Sequence, residues 1–195
     1  MHPPKIFVNQ SLGSAVIIQS TANRSLWSAE RNGMAVVGVG AAGLLEGPLT
    51  AFFASRQCPG TAIRAATDWA LQKACERCAV IGGFHSPLEQ SVLRLLMETG
   101  SSIVVVLARP VAGASLNSTW QGAIDAGTMA VVSRSARTQR LTEQAATDRN
   151  EIAARLADLI VVGHASPDGT LARQCARWLA DGLHLRHIDN SAVSR

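Results

Sequence analysis

The chain has 195 residues, of which 47% are apolar and 16% are charged, and its formal net charge is +4. This composition is too apolar for a disordered chain, and the length suits one α/β domain with a buried core. The apolar runs are far shorter than the ~20 residues of a membrane-spanning helix, and the N-terminus lacks the apolar core of a signal peptide. We therefore expect a cytoplasmic protein without a membrane partner.

The first 33 residues differ from the rest and predict a small N-terminal appendage. Lys5–Val8 and Ala15–Gln19 are candidate short strands around a turn-rich segment. The polar segment 21–32 follows, with Trp27 as an anchor on the main domain. The predicted organisation is an appendage over 1–33 and one domain over 34–195.

From Met34 onward, apolar strands and helical patterns alternate along the chain. The run 103–108 is apolar on both faces, which is typical of a central parallel strand. This alternation predicts an α/β fold with a doubly wound, Rossmann-like parallel sheet in three α/β/α layers. The predicted strands are 34–39, 49–55, 79–81, 103–108, 129–133, 159–163 and 185–188, and the predicted helices are about 59–77, 87–99, 118–125, 146–156 and 170–180.

Two helices have explicit patterns. In the first, Ile63, Ala66, Ala70 and Ala74 share one face and predict the buried side. The second has the residues of a capped start, with Ser86 at the N-cap, proline next and a glutamate at the third helical position.

The segment Gly38–Gly43 matches the G-x-G-x-x-G pattern of dinucleotide-binding proteins. That motif needs a helix of about a dozen residues beginning among the glycines, and then a strand that ends in an acidic residue. Here Gly47–Pro48 interrupts the helix, and the next strand has no acid at its end. We interpret the segment as a turn-rich connection and predict no cofactor.

The chain has four cysteines, and two of them have C-x-x-C spacing, Cys75 and Cys78. A disulfide framework is atypical of a cytosolic chain of this size. A zinc site needs four ligands, and no second paired motif is present. We predict small buried side chains and no metal, with zinc as the alternative.

The strand–helix junctions supply the candidate binding residues. The junction after the second predicted strand contains Ser55, Arg56, Gly60 and Thr61, where free N–H groups and the helix dipole favour an anion. An ordinary capped turn explains this segment equally well.

The next junction contains Gly82, Gly83, His85 and Ser86, whose glycines allow either close approach by a ligand or a tight turn. Because parallel strands end at one edge of the sheet, these loops share one crevice.

Three further candidates stand at the same edge. Arg109 follows the central strand, and it is either a solvated strand end or a ligand clamp. Arg149–Asn150 stands at a helix start, either facing water or binding a ligand. The third is the loop that contains Asp168, Gly169 and Thr170.

These junctions contain few carboxylates, and His85, His164 and Ser55 have no evident partner for acid–base or nucleophilic catalysis. We therefore predict no catalytic residue and a crevice that binds an anion. Sixteen of the eighteen basic residues are arginine, which suits phosphate, although genome composition alone can produce such a bias.

Several motifs, in order along residues 40–183, resemble the Rossmann-like domain of the DNA-processing protein A (DprA/Smf) family, in the group that includes the LOG phosphoribohydrolases. The similar segments are Leu44–Leu45 with Pro48, Thr50–Arg56, Ile81–Ser86, Arg149–Asn150 with Leu156–Asp158, and Asp168–Leu171. Ala54 replaces a family glycine, and the arginine of the family's second loop is absent. Cys58–Gly60 and Gly83–Pro87 resemble a divergent subgroup.

The resemblance implies binding of single-stranded DNA and loading of a recombinase. The chain leaves no room for the flanking domains of many relatives, so we expect the binding role alone. Arg134, Arg137 and Arg140 form a basic run that could follow a phosphate backbone or simply be solvated.

The predicted partner is single-stranded DNA, with one nucleotide-like ligand as the alternative. A homodimer is also considered. A LOG-type hydrolase is disfavoured, since the loop at 167–173 lacks the family's catalytic glutamate.

Overall fold

In the computed structural model, the described residues are 17–21, 24–76, 78–134 and 143–188. They form one nine-stranded sheet in the order β1-β2-β3-β7-β6-β5-β4-β8-β9, with five helices. The strands are β1 (Ile17–Thr21), β2 (Arg24–Arg31), β3 (Met34–Gly40), β4 (Leu49–Ala54), β5 (Ala79–Gly82), β6 (Ile103–Val106), β7 (Met129–Ser133), β8 (Leu159–His164) and β9 (Leu185–His187). The helices are α1 (Gly60–Ala74), α2 (Pro87–Glu98), α3 (Ser118–Asp125), α4 (Glu143–Leu156) and α5 (Thr170–Ala180).

Strands β4 to β9 are parallel and place helices on both faces of the sheet. The chain steps outward from β4 to β7, then returns to pair β8 with the other side of β4, so the topological switch lies between β4 and β8. Helices α1 to α3 pack on one face, and α4 and α5 pack on the other. The prediction of a doubly wound, three-layer α/β sheet is confirmed.

Strand β4 lies at the centre of both cores. Its neighbouring residues Phe52 and Phe53 point to opposite faces, as successive residues of a strand do. The ring of Phe52 stacks on Trp69 of α1, and the ring of Phe53 packs against Trp178 of α5, each with centroids 4.9 Å apart. All six residues of β4 are buried, which explains why the strand is apolar on both faces.

The N-terminal strands extend this sheet in antiparallel pairing. β3 pairs with β7, β2 with β3, and β1 with β2. A two-residue turn at Asn32 and Gly33, with φ of 51° and 71°, joins β2 to β3. Trp27 is buried over Gly38, where a Cβ would lie 2.4 Å from the indole ring, and its Nε1 donates to the Gly40 carbonyl at 2.9 Å. The predicted boundary at 33/34 thus falls within one hairpin, and the division into two units stays a prediction.

Three details differ from the sequence predictions. The polar segment at 21–32 contains strand β2, because alternate side chains face outward while Trp27 and Ala29 are buried. The first helix turns Ile63 outward, at 47% exposure, because the bulkier Trp69 and the stem of Lys73 occupy its inner face. The proposed early strand over 5–8 and the first two residues of the one over 15–19 lie outside the described residues, while residues 17–19 belong to β1.

The third difference concerns α4, which begins at Glu143 rather than near residue 146. Arg149 and Asn150 therefore lie in its second turn and not at its start. Arg149 is buried, so the interpretation of a helix-start pair facing water is wrong for this residue.

The segment after β3 has the turn-rich form that the sequence predicts. Only the four-residue 3-10 helix Ala42–Leu45 follows, and the chain then turns into β4. None of the described helices is long and apolar enough to span a bilayer.

Candidate functional site

The carboxyl ends of the parallel strands bring the predicted loops to one edge of the sheet. Hydrogen bonds divide this edge into two regions. The first, which we call the switch-point loops, comprises residues 55–61 after β4 and 165–170 after β8. The second, which we call the arginine cavity, lies beside the ends of β6 and β7 and helix α4.

The switch-point loops are bonded to each other. The Ser55 N–H donates to the His164 carbonyl at 2.8 Å, and the Ser166 N–H donates to Ser55 Oγ at 2.9 Å. The Cys58 thiol donates to the Ser55 carbonyl at 3.2 Å. Ser55 therefore joins the two loops.

An arginine of α5 donates hydrogen bonds to two residues of the loop after β8. Arg173 donates to the Asp168 carbonyl at 2.5 Å and to Thr170 Oγ1 at 3.3 Å. Asp168 adopts a left-handed φ of 56°, and the Gly169 N–H donates to the Ser166 carbonyl at 3.1 Å. The loop satisfies much of its own hydrogen-bonding capacity.

The start of α1 is open to solvent. Gly60 and Thr61 are exposed, and a Cβ at Gly60 would meet no atom within 4 Å. Arg56 is also exposed. Among the described residues, Arg56 has no hydrogen bond or ion pair.

The arginine cavity has a volume of about 340 Å³. Its charged lining comes from three separate segments: the loop after β6, the end of β7, and α4. These residues are Arg109, Arg134, Asp148 and Arg149. The sequence prediction named Arg109 and Arg149 as candidate site residues and included Arg134 in a basic run. Arg137 and Arg140 of that run lie outside the described residues.

Arg149 is the buried cation of this cavity, with only 9% of its surface exposed. Its Nη2 donates to Asn150 Oδ1 at 3.3 Å, while its buried Nε has no hydrogen-bond partner. Burial lowers the pKa of the Arg149 guanidinium from its ordinary value, and the negative charge of Glu89 opposes that shift. A guanidinium nevertheless stays charged in proteins. The site therefore contains a buried positive charge with unused donors.

Gly83 makes room for this guanidinium. A Cβ at residue 83 would lie 2.1 Å from Arg149 Nε and 2.6 Å from its Cζ. Two functions were considered for the Gly82–Gly83 pair, close approach by a ligand or a tight turn, and the structure adds a third for Gly83, which is close packing of Arg149. Phe84 follows with a left-handed φ of 47°, which is rare for a bulky residue, and its side chain is buried at 5% exposure.

The side chain of Glu89 accepts hydrogen bonds from the same loop and holds its backbone in place. Its Oε2 accepts from the His85 and Ser86 N–H groups at 2.7 and 3.1 Å, and its Oε1 accepts from the Ala54 N–H at 3.0 Å. Ser86 Oγ in turn accepts from the Glu89 N–H at 3.2 Å, which confirms the predicted capped start of α2. The capping pattern did not reveal the bond to Ala54 of β4, since that contact depends on the fold.

The remaining candidates lie around this centre. Arg109 is exposed and makes one long contact, from Nη2 to the Ser115 carbonyl at 3.5 Å. Asn150 is half-buried and donates to Gln174 Oε1 at 3.1 Å, which joins α4 to α5. His85 is exposed at the mouth of α2.

The cysteines are separate from the site, except for Cys58. Cys175 is buried in the core as predicted, but Cys75 is exposed, so the prediction of a buried side chain is wrong there. Cys78 is half-buried, with its Sγ 3.2 Å from Thr50 Oγ1. Burial raises the pKa of the Cys175 thiol to about 11. Within the described ranges, no cluster of three or more potential metal ligands occurs.

Comparisons with known proteins agree on the fold. No protein-family model matches the sequence, and no curated protein matches it significantly. DprA from Streptococcus pneumoniae superposes with a TM-score of 0.65 at 18% identity, over 82% of this chain and 56% of that one. DprA from Helicobacter pylori, whose structure addresses its single-stranded DNA binding, gives 0.64 at 12% identity, over 78% and 71%.

The chain therefore has a DprA-like, Rossmann-like fold. It spans little more than half of the pneumococcal DprA chain. The molybdenum cofactor binding protein of Rippkaea orientalis shares the fold with a TM-score of 0.51 at 13% identity, over 72% of this chain and 75% of that one. The fold thus occurs both in a protein that binds DNA and in one that binds a small cofactor.

Proposed function

We propose that this protein binds single-stranded nucleic acid through its phosphates at the arginine cavity, without catalysing a reaction, in a DNA-processing role. The observation that carries the proposal is Arg149. Its guanidinium is buried, lines the cavity and makes one hydrogen bond to a described side chain, at 3.3 Å, so an acceptor that a ligand brings into the cavity would stabilise it. A phosphate oxygen is the acceptor that best matches the arginine fork.

The surroundings of Arg149 support a phosphate ligand. Arg109 and Arg134 line the same cavity and are exposed, so they can contact oxygens at its rim. The N-terminus of α2 also points to this edge, and helix N-termini favour negative charge. A nucleic acid strand that crosses the rim would place one phosphate at Arg149 and the adjacent phosphates against the exposed Arg109 and Arg134.

The DprA-like fold supports the choice of a single strand. The Helicobacter pylori protein, which binds single-stranded DNA, superposes over 78% of this chain. Arg149–Asn150 is also the pair that resembles the family's Arg–Asn motif.

The test is a fluorescence-polarisation titration of a labelled oligothymidylate at two salt concentrations. We expect affinity to fall steeply as salt rises, because phosphate contacts release counterions. Arg149→Gln should weaken binding about tenfold or more at low salt. The matched control Arg94→Ala removes an equal charge from the second cavity, between α2 and α3, and should change affinity less than about twofold.

Two results would contradict the proposal. One is flat salt dependence or no binding at low salt. The other is an Arg149→Gln protein that melts cooperatively and still binds like the parent.

The second candidate is a nucleotide-like small ligand. The cavity volume of about 340 Å³ lies within the range of about 300–1,000 Å³ for small-ligand pockets, and the fold is shared with a cofactor-binding protein. Competition decides between the two. A mononucleotide that displaces the oligonucleotide at equal phosphate concentration favours this candidate.

A further inference from the structure

Gln174 of α5 is a buried polar side chain that faces α4. Only 3% of its surface is exposed, and both polar atoms of its amide make hydrogen bonds across the interface between the two helices. Its Nε2 donates to the Thr147 carbonyl at 3.2 Å, and its Oε1 accepts from Asn150 Nδ2 at 3.1 Å. Because a buried amide without partners is costly, these two bonds fix the position of the Gln174 side chain.

The direction of these bonds follows from Thr147. A main-chain carbonyl only accepts, so the Gln174 amide turns its NH₂ group toward Thr147 and its oxygen toward Asn150. That oxygen in turn requires the NH₂ group of Asn150, which leaves Asn150 Oδ1 as the acceptor for Arg149 Nη2, at 3.3 Å. Each amide is therefore oriented by its neighbour, from a helix carbonyl to the arginine of the cavity.

The acceptor that reaches Arg149 in this way is neutral. A carboxylate in the place of the Asn150 amide would orient the guanidinium and also offset its positive charge. The amide oxygen orients it without adding an anion that competes with a ligand. Among the described residues that line the arginine cavity, Arg149 is present and Asn150 and Gln174 are absent, so the two amides act from behind the site.

We infer that Gln174 is a positioning residue for the anion site, which holds the Asn150 amide in the orientation that fixes the Arg149 guanidinium. This inference rests on the proposed function and adds to its site a residue that does not touch the ligand. Without Gln174, the Asn150 amide can present its NH₂ group to the guanidinium, and two donors then meet. The guanidinium loses its hydrogen bond, and ordering it again on binding costs part of the affinity.

The experiment is a double-mutant cycle between Gln174→Met and Asn150→Ala. Methionine keeps the length of the glutamine side chain and removes its donor and its acceptor. The wild type, the two single variants and the double variant are titrated with the labelled oligothymidylate at low salt, and thermal melting checks that each one folds. The measured quantity is the loss of affinity that Gln174→Met causes in each of the two backgrounds.

We expect Gln174→Met to weaken binding about fivefold in the wild-type background. In the Asn150→Ala background the loss should be less than about twofold, because the amide that Gln174 orients is gone. A merely structural role would give the same loss in both backgrounds. Gln121→Met is the matched control, since Gln121 of α3 also donates to a main-chain carbonyl, at 2.7 Å, and its replacement should change affinity less than about twofold.

A second measurement needs no variant and decides the matter if Gln174→Met does not fold. In NMR spectra of the wild type, saturating oligothymidylate should shift the side-chain amide signals of both Asn150 and Gln174. The reason is that a ligand on Arg149 polarises the hydrogen bonds that lead away from it. The side-chain amide signal of Gln121 should stay in place.

Two results overturn the inference while the proposed function stands. One is a folded Gln174→Met protein that binds like the wild type or loses affinity equally in both backgrounds. The other is a complex with the oligonucleotide in which the side-chain amide signals of Asn150 and Gln174 do not move. If the wild type does not bind the oligonucleotide at low salt, the proposed function fails and the inference fails with it.

Discussion

The two regions of the carboxyl edge contain similar residues but differ in how their polar groups are used. In the switch-point loops, Ser55 bonds to the loop after β8, and Arg173 bonds to Asp168 and Thr170. In the arginine cavity, Arg149 is buried with an unpaired Nε. Loops at a topological switch point are the usual ligand site of such folds, yet at this edge the buried cation lies farther along the sheet.

This difference shows that residue type at a strand end does not suffice to identify a binding site. A polar group whose hydrogen bonds are made within the protein gains little from a ligand, whereas a buried guanidinium with one internal hydrogen bond gains more from a ligand that supplies acceptors. We therefore expect an anion to bind in the arginine cavity rather than at the switch-point loops.

The largest effect is expected from Gly83→Ala. The new methyl group would collide with Arg149 Nε and Cζ and displace the guanidinium. We expect oligonucleotide affinity to fall about tenfold or more and stability to fall by about 1–3 kcal/mol. Polarisation titration and urea unfolding measure the two effects.

Gly60→Ala is the matched change in the other region. Its Cβ meets no neighbour, so stability should stay constant or rise by up to about 1 kcal/mol, with unchanged affinity. If Gly60→Ala weakens binding as much as Gly83→Ala does, the ligand approaches the start of α1 and the comparison is wrong.

Arg109 and Arg56 offer a comparison of exposed cations. Both are exposed, but only Arg109 lines the cavity. Arg109→Ala should lower the slope of log affinity against log salt by about 1, and Arg56→Ala should change it less. If Arg56→Ala lowers this slope more than Arg109→Ala does, the ligand binds at the switch-point loops instead.

Ser55→Ala should separate stability from binding. It removes the acceptor of the Ser166 N–H, which we expect to cost about 1 kcal/mol in the free energy of unfolding. Oligonucleotide affinity should remain within about twofold of the parent. A loss of affinity well beyond that range, at unchanged stability, would give Ser55 a direct ligand contact.

The smallest expected effect is at Cys58, a reporter within the first switch-point loop. Burial, followed by the charge of Glu89, raises the pKa of this thiol. Less thiolate is therefore present at pH 8, and alkylation should be slower than at the exposed Cys75 and accelerate as pH rises. Saturating oligonucleotide should leave the Cys58 rate unchanged, and protection would place the ligand over this loop.

The sequence predicts most of the architecture because hydrophobic periodicity dictates it. Helix α3 and strand β7 were predicted with their observed bounds, and the start of α2 followed from its capping residues. β2 was missed, although Asn32–Gly33 is a strong signal for a two-residue hairpin turn. The polar outward face of β2 concealed the alternation.

The site was predicted only as a set of separate loops. The sequence named Arg109 and Arg149, but it could not show that Arg149 is buried against Gly83, because that contact joins residues 66 positions apart. Glu89 was recognised as a helix cap. Its bond to Ala54 arises from the pairing of β4 with β5 and is invisible to local patterns.

The hairpin at Asn32–Gly33 has a consequence for the order in which the chain assembles. A two-residue turn closes on a timescale of about 1–10 µs, whereas parallel strands must wait for long crossover connections. We expect β2 and β3 to form an early ribbon that later receives β7 along its edge. Pulsed hydrogen exchange during refolding would detect this as protection of the Trp27 and Val36 amides before that of Phe53, and simultaneous protection would exclude it.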